Sequence, residues 1–414
     1  MLRSGGAAIL MRNDSRTDLP AGISFLVGDA QIAEGLARVQ VRMPFDAEVI
    51  RFLNIASQQL MGNSAAKAFP DVVTFAFWIR KASVMKLQTR FATQGGSVQV
   101  GRGVLFHIAP SNVPVNFAYS LAAGLMTGNA NAVRVPSKPF PQVEMIADAL
   151  NHALDECPGL RPYLLLMRYQ RDRAVNDWFS AAADVRVVWG GDQTIAELRR
   201  SPLPPRSSEI TFADRYSLAV VDSDAYLAME DKTRVAEDFY NDTFLTDQNA
   251  CTSPRVIAWV GSSIPQAKTL FWAEAHRLVK KKYNFQPIQG VNKLVSGCLA
   301  AVNLPGAHAE HGEDNLIFRV SVPPDTEKLM EYRDNSGYFF ECDCSDITEL
   351  RSLCDNKRCQ TIAYIGDRNM FAPLLESGIM GIDRIVPLGR TMDFDLIWDG
   401  YALPAVLTRT IAVI

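Results

Sequence analysis

The sequence contains no uninterrupted apolar run near the ~18–20 residues that a membrane-spanning helix needs. Its N-terminal Ala7-Ala-Ile-Leu-Met11 stretch is shorter than the roughly 7–15 residues of a signal-peptide core, so a cytoplasmic chain is expected. An excess of either charge is also missing. Lys and Arg number 42 against 45 Asp and Glu, a formal net charge of −3, which argues against nucleic acid as a partner and against an acidic disordered tract. Seven cysteines, odd in number and irregularly spaced, make reduced thiols the expectation rather than a disulfide framework. No Gly-x-Gly-x-x-Gly follows a strand pattern and no P-loop lysine motif occurs, which disfavours the simplest dinucleotide and NTPase folds. Internal repeats are absent as well. What remains is a globular composition, 48% hydrophobic over 414 residues, enough for two or three domains.

From residue 100 onward the pattern alternates. Val104–Ala109 is a short apolar run closed by Pro110-Ser111-Asn112, followed by a small-and-apolar helix pattern over Asn116–Met126. Ala132–Val135 is a second strand, closed by Pro136-Ser137-Lys138-Pro139 before a helix with Met145, Ile146, Ala149, Leu150, Ala153 and Leu154 at helical spacing. Val185–Trp189 is a third, broken by Gly190-Gly191 ahead of a helix carrying Ile195 and Leu198. Three such units in series imply an α/β fold with a parallel sheet covered by helices. Leu218–Val221 then leads into a helix with Val235, Phe239 and Phe244 on one face, the expected entry to a second domain.

Between that helix and a strand at Val256–Val260 lies Thr246-Asp247-Gln-Asn-Ala-Cys251-Thr-Ser-Pro254, a polar turn of the kind that carries chemistry. Its position makes Cys251 a candidate nucleophile, although spacing alone leaves the alternative of a small buried hydrophobe open, since no neighbouring His forms a pair with it. The other six cysteines read as structural. Cys342-x-Cys344 and Cys354-x4-Cys359 lack the x2 spacing of zinc knuckles. His308 and His311, at i, i+3 rather than i, i+4, read as a solvated loop, and Lys280-Lys281-Lys282 as a helix C-terminus complementing its dipole. For a phosphate-bearing ligand the candidates are the Gly190-Gly191 turn, Arg134 at a strand end, and Ser137 and Lys138 just beyond it. No metal site is expected.

Phe106-His-Ile-Ala-Pro-Ser-Asn-Val-Pro-Val115, Gly128-Asn-Ala-Asn-Ala-Val-Arg-Val-Pro-Ser137, Val188-Trp-Gly-Gly-Asp192, Asp247-Gln-Asn-Ala-Cys-Thr-Ser-Pro254, Cys359-Gln-Thr361, Asp383-Arg-Ile-Val-Pro-Leu-Gly389 and Trp398-Asp-Gly400 run in order along about three quarters of the chain. Together they resemble the LuxC-type acyl-CoA reductases, the fatty-acid reductase branch of the aldehyde dehydrogenase superfamily. The resemblance implies an aldehyde dehydrogenase-like fold. A parallel-sheet cofactor domain with an oligomerisation extension would comprise residues 1–217 and 386–414, and an inserted α/β catalytic domain residues 218–385. It implies Cys251 as nucleophile, Asn112 as an oxyanion donor, and Ser111, Arg134, Ser137, Lys138, Gly190 and Gly191 around the cofactor. Arg134 stands where the superfamily usually has a lysine near the adenosine ribose, and a guanidinium suited to bidentate phosphate recognition points to NADPH over NADH.

One departure narrows the chemistry. Aldehyde-oxidising relatives carry a Glu-Leu-Gly-Gly segment whose glutamate activates a deacylating water, and the matching stretch here, Ile210-Thr-Phe-Ala-Asp-Arg-Tyr216, has none. Glu209 lies nearby without an assigned role. The resemblance therefore implies reduction of a fatty acyl thioester, acyl-CoA or acyl-protein, through an S-acyl cysteine. It also implies an acyl-protein synthetase partner and a homo-oligomer. The alternatives are an acyl-phosphate reductase or aldehyde oxidoreductase of the same superfamily, and a non-enzymatic scaffold docking an acyl-transferring partner.

Overall fold

The computed structural model describes residues 18–91, 97–110 and 113–413. It divides into two compact units, Met1–Ala213 with Leu403–Ile414, and Asp214–Ala402.

The first unit is built on a six-stranded sheet. Its strands are β1 (Ser24–Val27), β3 (Val104–Ile108), β4 (Ala130–Arg134), β5 (Leu164–Arg168), β6 (Val185–Trp189) and β7 (Ser208–Phe212), while β2 (Ser97–Gly101) stands apart from it. Spatial order is β1-β5-β4-β3-β6-β7, with every neighbouring pair parallel except β1 with β5. The short apolar runs in the sequence have this cause: all five residues of β3 are buried, as a strand covered on both faces requires. Helix Asn116–Met126 buries every residue except Asn116 and Tyr119, which is why its composition is small and apolar rather than amphipathic. The chain fills the sheet from β3 outward through β4 and β5, then returns to the other side of β3 with β6 and β7. A topological switch point therefore lies between β3 and β6, and in open α/β sheets the crevice beyond the carboxyl ends of such strands is where ligands bind. The C-terminal strand Thr408–Ala412 belongs to this unit, pairing antiparallel with β2.

The second unit carries a seven-stranded sheet made of β8 (Tyr216–Asp222), β9 (Pro254–Val260), β10 (His308–His311), β11 (Phe318–Ser321), β12 (Tyr338–Asp343), β13 (Cys359–Ile365) and β14 (Arg384–Pro387). Their order is β10-β11-β12-β9-β8-β13-β14, all parallel but for the β10/β11 pair. Side chains alternate between two cores. Leu218, Val220, Val256 and Ala258 enter one, with Leu350, Leu353 and Phe371, while Ala219, Val221, Ile257 and Trp259 enter the other, with Phe239, Phe271 and Trp272. Phe239 lies on helix Lys232–Asp242, and Phe244, expected on the same helix, falls in the short 3-10 turn Phe244–Thr246 just after it.

Residues 386–402, expected from the sequence in the first unit, lie in the second. Three local ties hold them there. β14 extends the sheet beside β13, the backbone N–H groups of Gly389 and Thr391 donate to Asp242 at 2.7 and 3.1 Å, and Asp399 accepts from Gln360. His308 and His311, read as a solvated loop, are instead on β10, an exposed edge strand.

Candidate active site

Cys251 sits at the end of a loop whose shape is set before the cysteine is reached. Asp247 and Gln248 both adopt left-handed backbone, φ 54° and 52°, conformations that cost a non-glycine residue energy and persist only when neighbours hold them. The Tyr283 hydroxyl donates to the Asp247 carboxylate, and Gln289 donates to it at 3.2 Å. Gln248 is fully buried and saturates its amide. Its Nε2 donates to the carbonyls of Pro254 and Tyr338 at 3.1 Å each, and its Oε1 accepts from Gly337 and Tyr338 N–H at 2.7 and 3.1 Å. Arg255 closes the loop from the other side, donating to the Gln248 carbonyl at 2.7 Å, the Asp334 carbonyl at 2.7 Å and the Asn335 side chain at 2.8 Å.

Around the thiol, elements distant in sequence converge. The Ser217 hydroxyl on β8 donates to the Cys251 carbonyl at 2.8 Å and lies 3.5 Å from Gln360 Oε1. Gln360 on β13 donates through Nε2 to Asp399. Arg215 pairs with Asp383 and donates to the Cys359 carbonyl at 2.9 Å. Burial, and next the charge of Asp399, push the Cys251 thiol up to about 12, while Gln360, Arg215 and the residue's own N–H pull the other way. Asp399 is itself buried, which raises its carboxyl to about 6 against the opposing pull of Arg215 and Gln360. Burial thus keeps the resting thiol protonated at neutral pH.

The cofactor candidates sit in the first unit, at the carboxyl edge of its sheet. Arg134 ends β4, its guanidinium 4.6 Å from the Tyr169 ring centroid and donating to the Tyr169 carbonyl at 3.3 Å. Ser137 and Lys138 follow in exposed positions. Gly190 and Gly191 follow β6, with Gly191 capping the short helix Asp192–Leu198. A side chain at Gly190 would press on Thr194 at 3.2 Å, whereas nothing lies within 4 Å of the place a Cβ would take on Gly191, so the backbone there is open to close approach. Asn112 and Ser111 lie outside the described residues.

Glu209 is committed elsewhere. Its carboxylate pairs with Arg186 at 2.5 Å and Arg199 at 2.7 Å, and Asp214, in the stretch where oxidising relatives carry their glutamate, pairs with Arg333 at 2.7 Å. Of the six cysteines read as structural, five are buried, and Cys298 is exposed on the outer side of helix Pro287–Asn303. Cys342 and Cys344 bring their sulfurs to 4.0 Å, yet no group of three or more metal-ligating side chains forms among the described residues. Sequence reading marked Gln360, Asp383 and Asp399 only as motif letters. The missing signal was their partner, because 109 and 148 residues separate Gln360 and Asp399 from Cys251 (360 − 251 and 399 − 251).

Residues 82–267 match the family model of acyl-CoA reductase (LuxC). A long-chain acyl-protein thioester reductase of Aliivibrio fischeri is 22% identical over 298 residues, 71% of this chain and 60% of the relative. Long-chain acyl-protein thioester reductase 2 of Photobacterium leiognathi is 23% identical over 164 residues, 39% of this chain and 33% of that one. The chain thus spans three fifths or less of the curated relatives it matches. Among solved structures, a NAD-dependent benzaldehyde dehydrogenase from Corynebacterium glutamicum superposes with a TM-score of 0.62 at 15% identity, covering 92% of this chain and 89% of its own. Glyceraldehyde-3-phosphate dehydrogenase GapN from Methanocaldococcus jannaschii, complexed with NADP, gives 0.64 at 13% identity, covering 92% of each chain. The fold is aldehyde dehydrogenase-like.

Proposed function

Because residues 82–267 match the LuxC acyl-CoA reductase family model and the fold is aldehyde dehydrogenase-like, we propose that the protein reduces a fatty acyl thioester to the aldehyde, with NADPH as reductant and an S-acyl Cys251 as intermediate. The observation that carries this reading is the hydrogen-bonded run Cys251 carbonyl–Ser217–Gln360–Asp399, with Gln360 and Asp399 both drawn from the motifs that resemble that family.

Cys251, once deprotonated, attacks the thioester carbonyl. The C–S bond to the donor thiol breaks, that thiol leaves with the proton, and the acyl group stays on Cys251. The Cys251 N–H would donate to the developing oxyanion, and the family resemblance adds the Asn112 amide to that role, each such donor being worth about 100- to 1000-fold in rate. A reduced nicotinamide, when bound, supplies the hydride that takes the acyl carbon to the aldehyde level. Collapse of the resulting thiohemiacetal breaks the C–S bond, and Cys251 leaves as thiolate. Among the described residues, the two carboxylates in or beside the stretch where oxidising relatives have their base, Glu209 and Asp214, are both ion-paired, and this favours reduction over hydrolysis.

The residues fit a nicotinamide dinucleotide. Gly191 is open to backbone approach, Arg134 presents a guanidinium, and Ser137 and Lys138 are exposed beside it. Arg134 and Lys138 would meet phosphate, the 2′-phosphate of NADPH included, and Ser111, Ser137 and the Gly190-Gly191 turn would complete the binding set. An acyl-protein synthetase as acyl donor and a homo-oligomeric state extend the proposal. No helix among the described residues is long and apolar enough to cross a membrane.

The test is a pair of assays on one preparation: tetradecanoyl-CoA with NADPH, and tetradecanal with NADP. Aldehyde production with NADPH consumption in the first supports the reading. Turnover confined to the second replaces it with aldehyde oxidation.

A further inference from the structure

Beside the switch point between β3 and β6, four polar side chains from four different elements form one buried run. Trp189 ends β6, Ser120 lies on helix Asn116–Met126, His107 on β3 and Asn131 on β4, and none is more than 6% exposed. The Trp189 indole Nε1 donates to Ser120 Oγ at 3.1 Å, Ser120 Oγ lies 2.7 Å from His107 Nδ1, and His107 Nε2 lies 3.0 Å from Asn131 Oδ1. The direction of every bond follows from one end. Asn131 Nδ2 donates to the Asn129 carbonyl at 2.8 Å, and a carbonyl only accepts, so Oδ1 is the amide atom turned toward His107. That oxygen only accepts as well, so His107 carries its proton on Nε2. Burial lowers the ring to about 4 and keeps it neutral, which leaves Nδ1 a bare acceptor. The single hydroxyl proton of Ser120 therefore points at Nδ1, and the Ser120 lone pairs face the indole N–H. Packing is fitted to this run: a Cβ on Gly124, one turn along the same helix, would strike Asn131 Oδ1.

The run ends where the cofactor candidates begin. The Trp189 ring stacks on Phe212 with centroids 3.7 Å apart, and the next residue, Gly190, donates to the Phe212 carbonyl at 3.2 Å. His107 and Ser120 belong to β3 and helix Asn116–Met126, the two elements that flank Asn112 in sequence. One directed set of hydrogen bonds thus ties those elements to the residue that opens the Gly190-Gly191 turn. We propose that Ser120 and His107 are positioning residues for the cofactor: His107, protonated on Nε2, orients the Ser120 hydroxyl, and the Ser120 oxygen holds the Trp189 indole and with it the Gly190-Gly191 turn. The inference rests on the reading, given above, that this turn meets a nicotinamide dinucleotide.

Two measurements on the full-length protein test it. Proton–nitrogen NMR with labelled histidine reads the tautomer in the wild type at neutral pH, the His107 signal being identified by its loss in His107→Phe. The expected ring carries its proton on Nε2, and a proton on Nδ1 overturns the run. The second measurement is NADPH binding without acyl substrate, followed by the fluorescence of the nucleotide. Ser120→Ala is expected to weaken binding about tenfold, and Trp189→Phe, which keeps a ring on Phe212 and loses the indole N–H, by a similar factor. Because Ser120 acts through Trp189, Ser120→Ala should cost less than about twofold in the Trp189→Phe background, whereas a general loss of stability would carry over to both. Equal weakening in both backgrounds, or none in either, overturns the proposal. A wild type that binds neither NADPH nor NADH refutes the cofactor reading and this inference with it; a wild type that binds NADPH, with variants that bind it equally well, refutes the inference alone.

Discussion

Gln248→Met tests how the Cys251 loop is held. The substitution keeps side-chain length and apolar volume but removes an amide that makes four hydrogen bonds, leaving the Gly337 and Tyr338 N–H groups and the Pro254 and Tyr338 carbonyls without it. Each such bond contributes about 1 kcal/mol net, and the stranded groups are buried, so the expected loss is about 4 kcal/mol. For a unit the size of Asp214–Ala402 this corresponds to a drop in Tm of about 10 °C. The left-handed backbone at Asp247 and Gln248 makes a local effect expected as well, since that conformation depends on the bonds being removed. Urea unfolding followed by tryptophan fluorescence measures the global term, with Trp259 and Trp272 as probes in the affected unit. A loss under 1 kcal/mol would refute the view that Gln248 is the clamp of this loop.

Acidification should act oppositely on the two units. Burial lowers His107 to about 4, so it is neutral in the folded first unit, and the stability gained from neutrality is lost as pH falls from about 6.5 toward 4, about 2 kcal/mol between pH 7 and 5. Burial raises Asp242 and Asp399 to about 6, so each contributes stability that is present below pH ~4 and lost as pH rises through 6, a gain of about 1 kcal/mol each between pH 7 and 5. Calorimetry at pH 5 and pH 7 should show one transition falling and the other rising, and Asp242→Asn should remove its part of the rise. Arg134→Ala should raise the KM for NADPH more than that for NADH, and equal effects on both would dissociate Arg134 from a 2′-phosphate.

Much of the first unit was legible because its strands are buried on both faces. A buried parallel strand writes itself as an apolar run, and the structure places helix Asn116–Met126 and strand Val185–Trp189 on their expected residues. Glycine and proline at the strand ends sharpened the boundaries further. Phe244 was misplaced by one turn because helical spacing continues past the residue where Thr243, at φ −124°, leaves the helix. The position of residues 386–402 was illegible for another reason. The β13–β14 pairing and the bonds to Asp242 and from Gln360 decide which unit holds them, and no local pattern encodes partners more than twenty residues away. The same holds at the candidate site: Cys251 stood out as a cysteine in a polar turn, whereas Gln360 and Asp399 are ordinary residues until the sheet brings them to it.

The measurement that bears most directly on the account is intact-protein mass spectrometry of wild type and Cys251→Ala after exposure to tetradecanoyl-CoA, followed by NADPH. The account predicts a tetradecanoyl adduct on the wild type alone, discharged as free tetradecanal when NADPH is added. An adduct of equal yield on Cys251→Ala, or aldehyde produced by that variant at the wild-type rate, would contradict it.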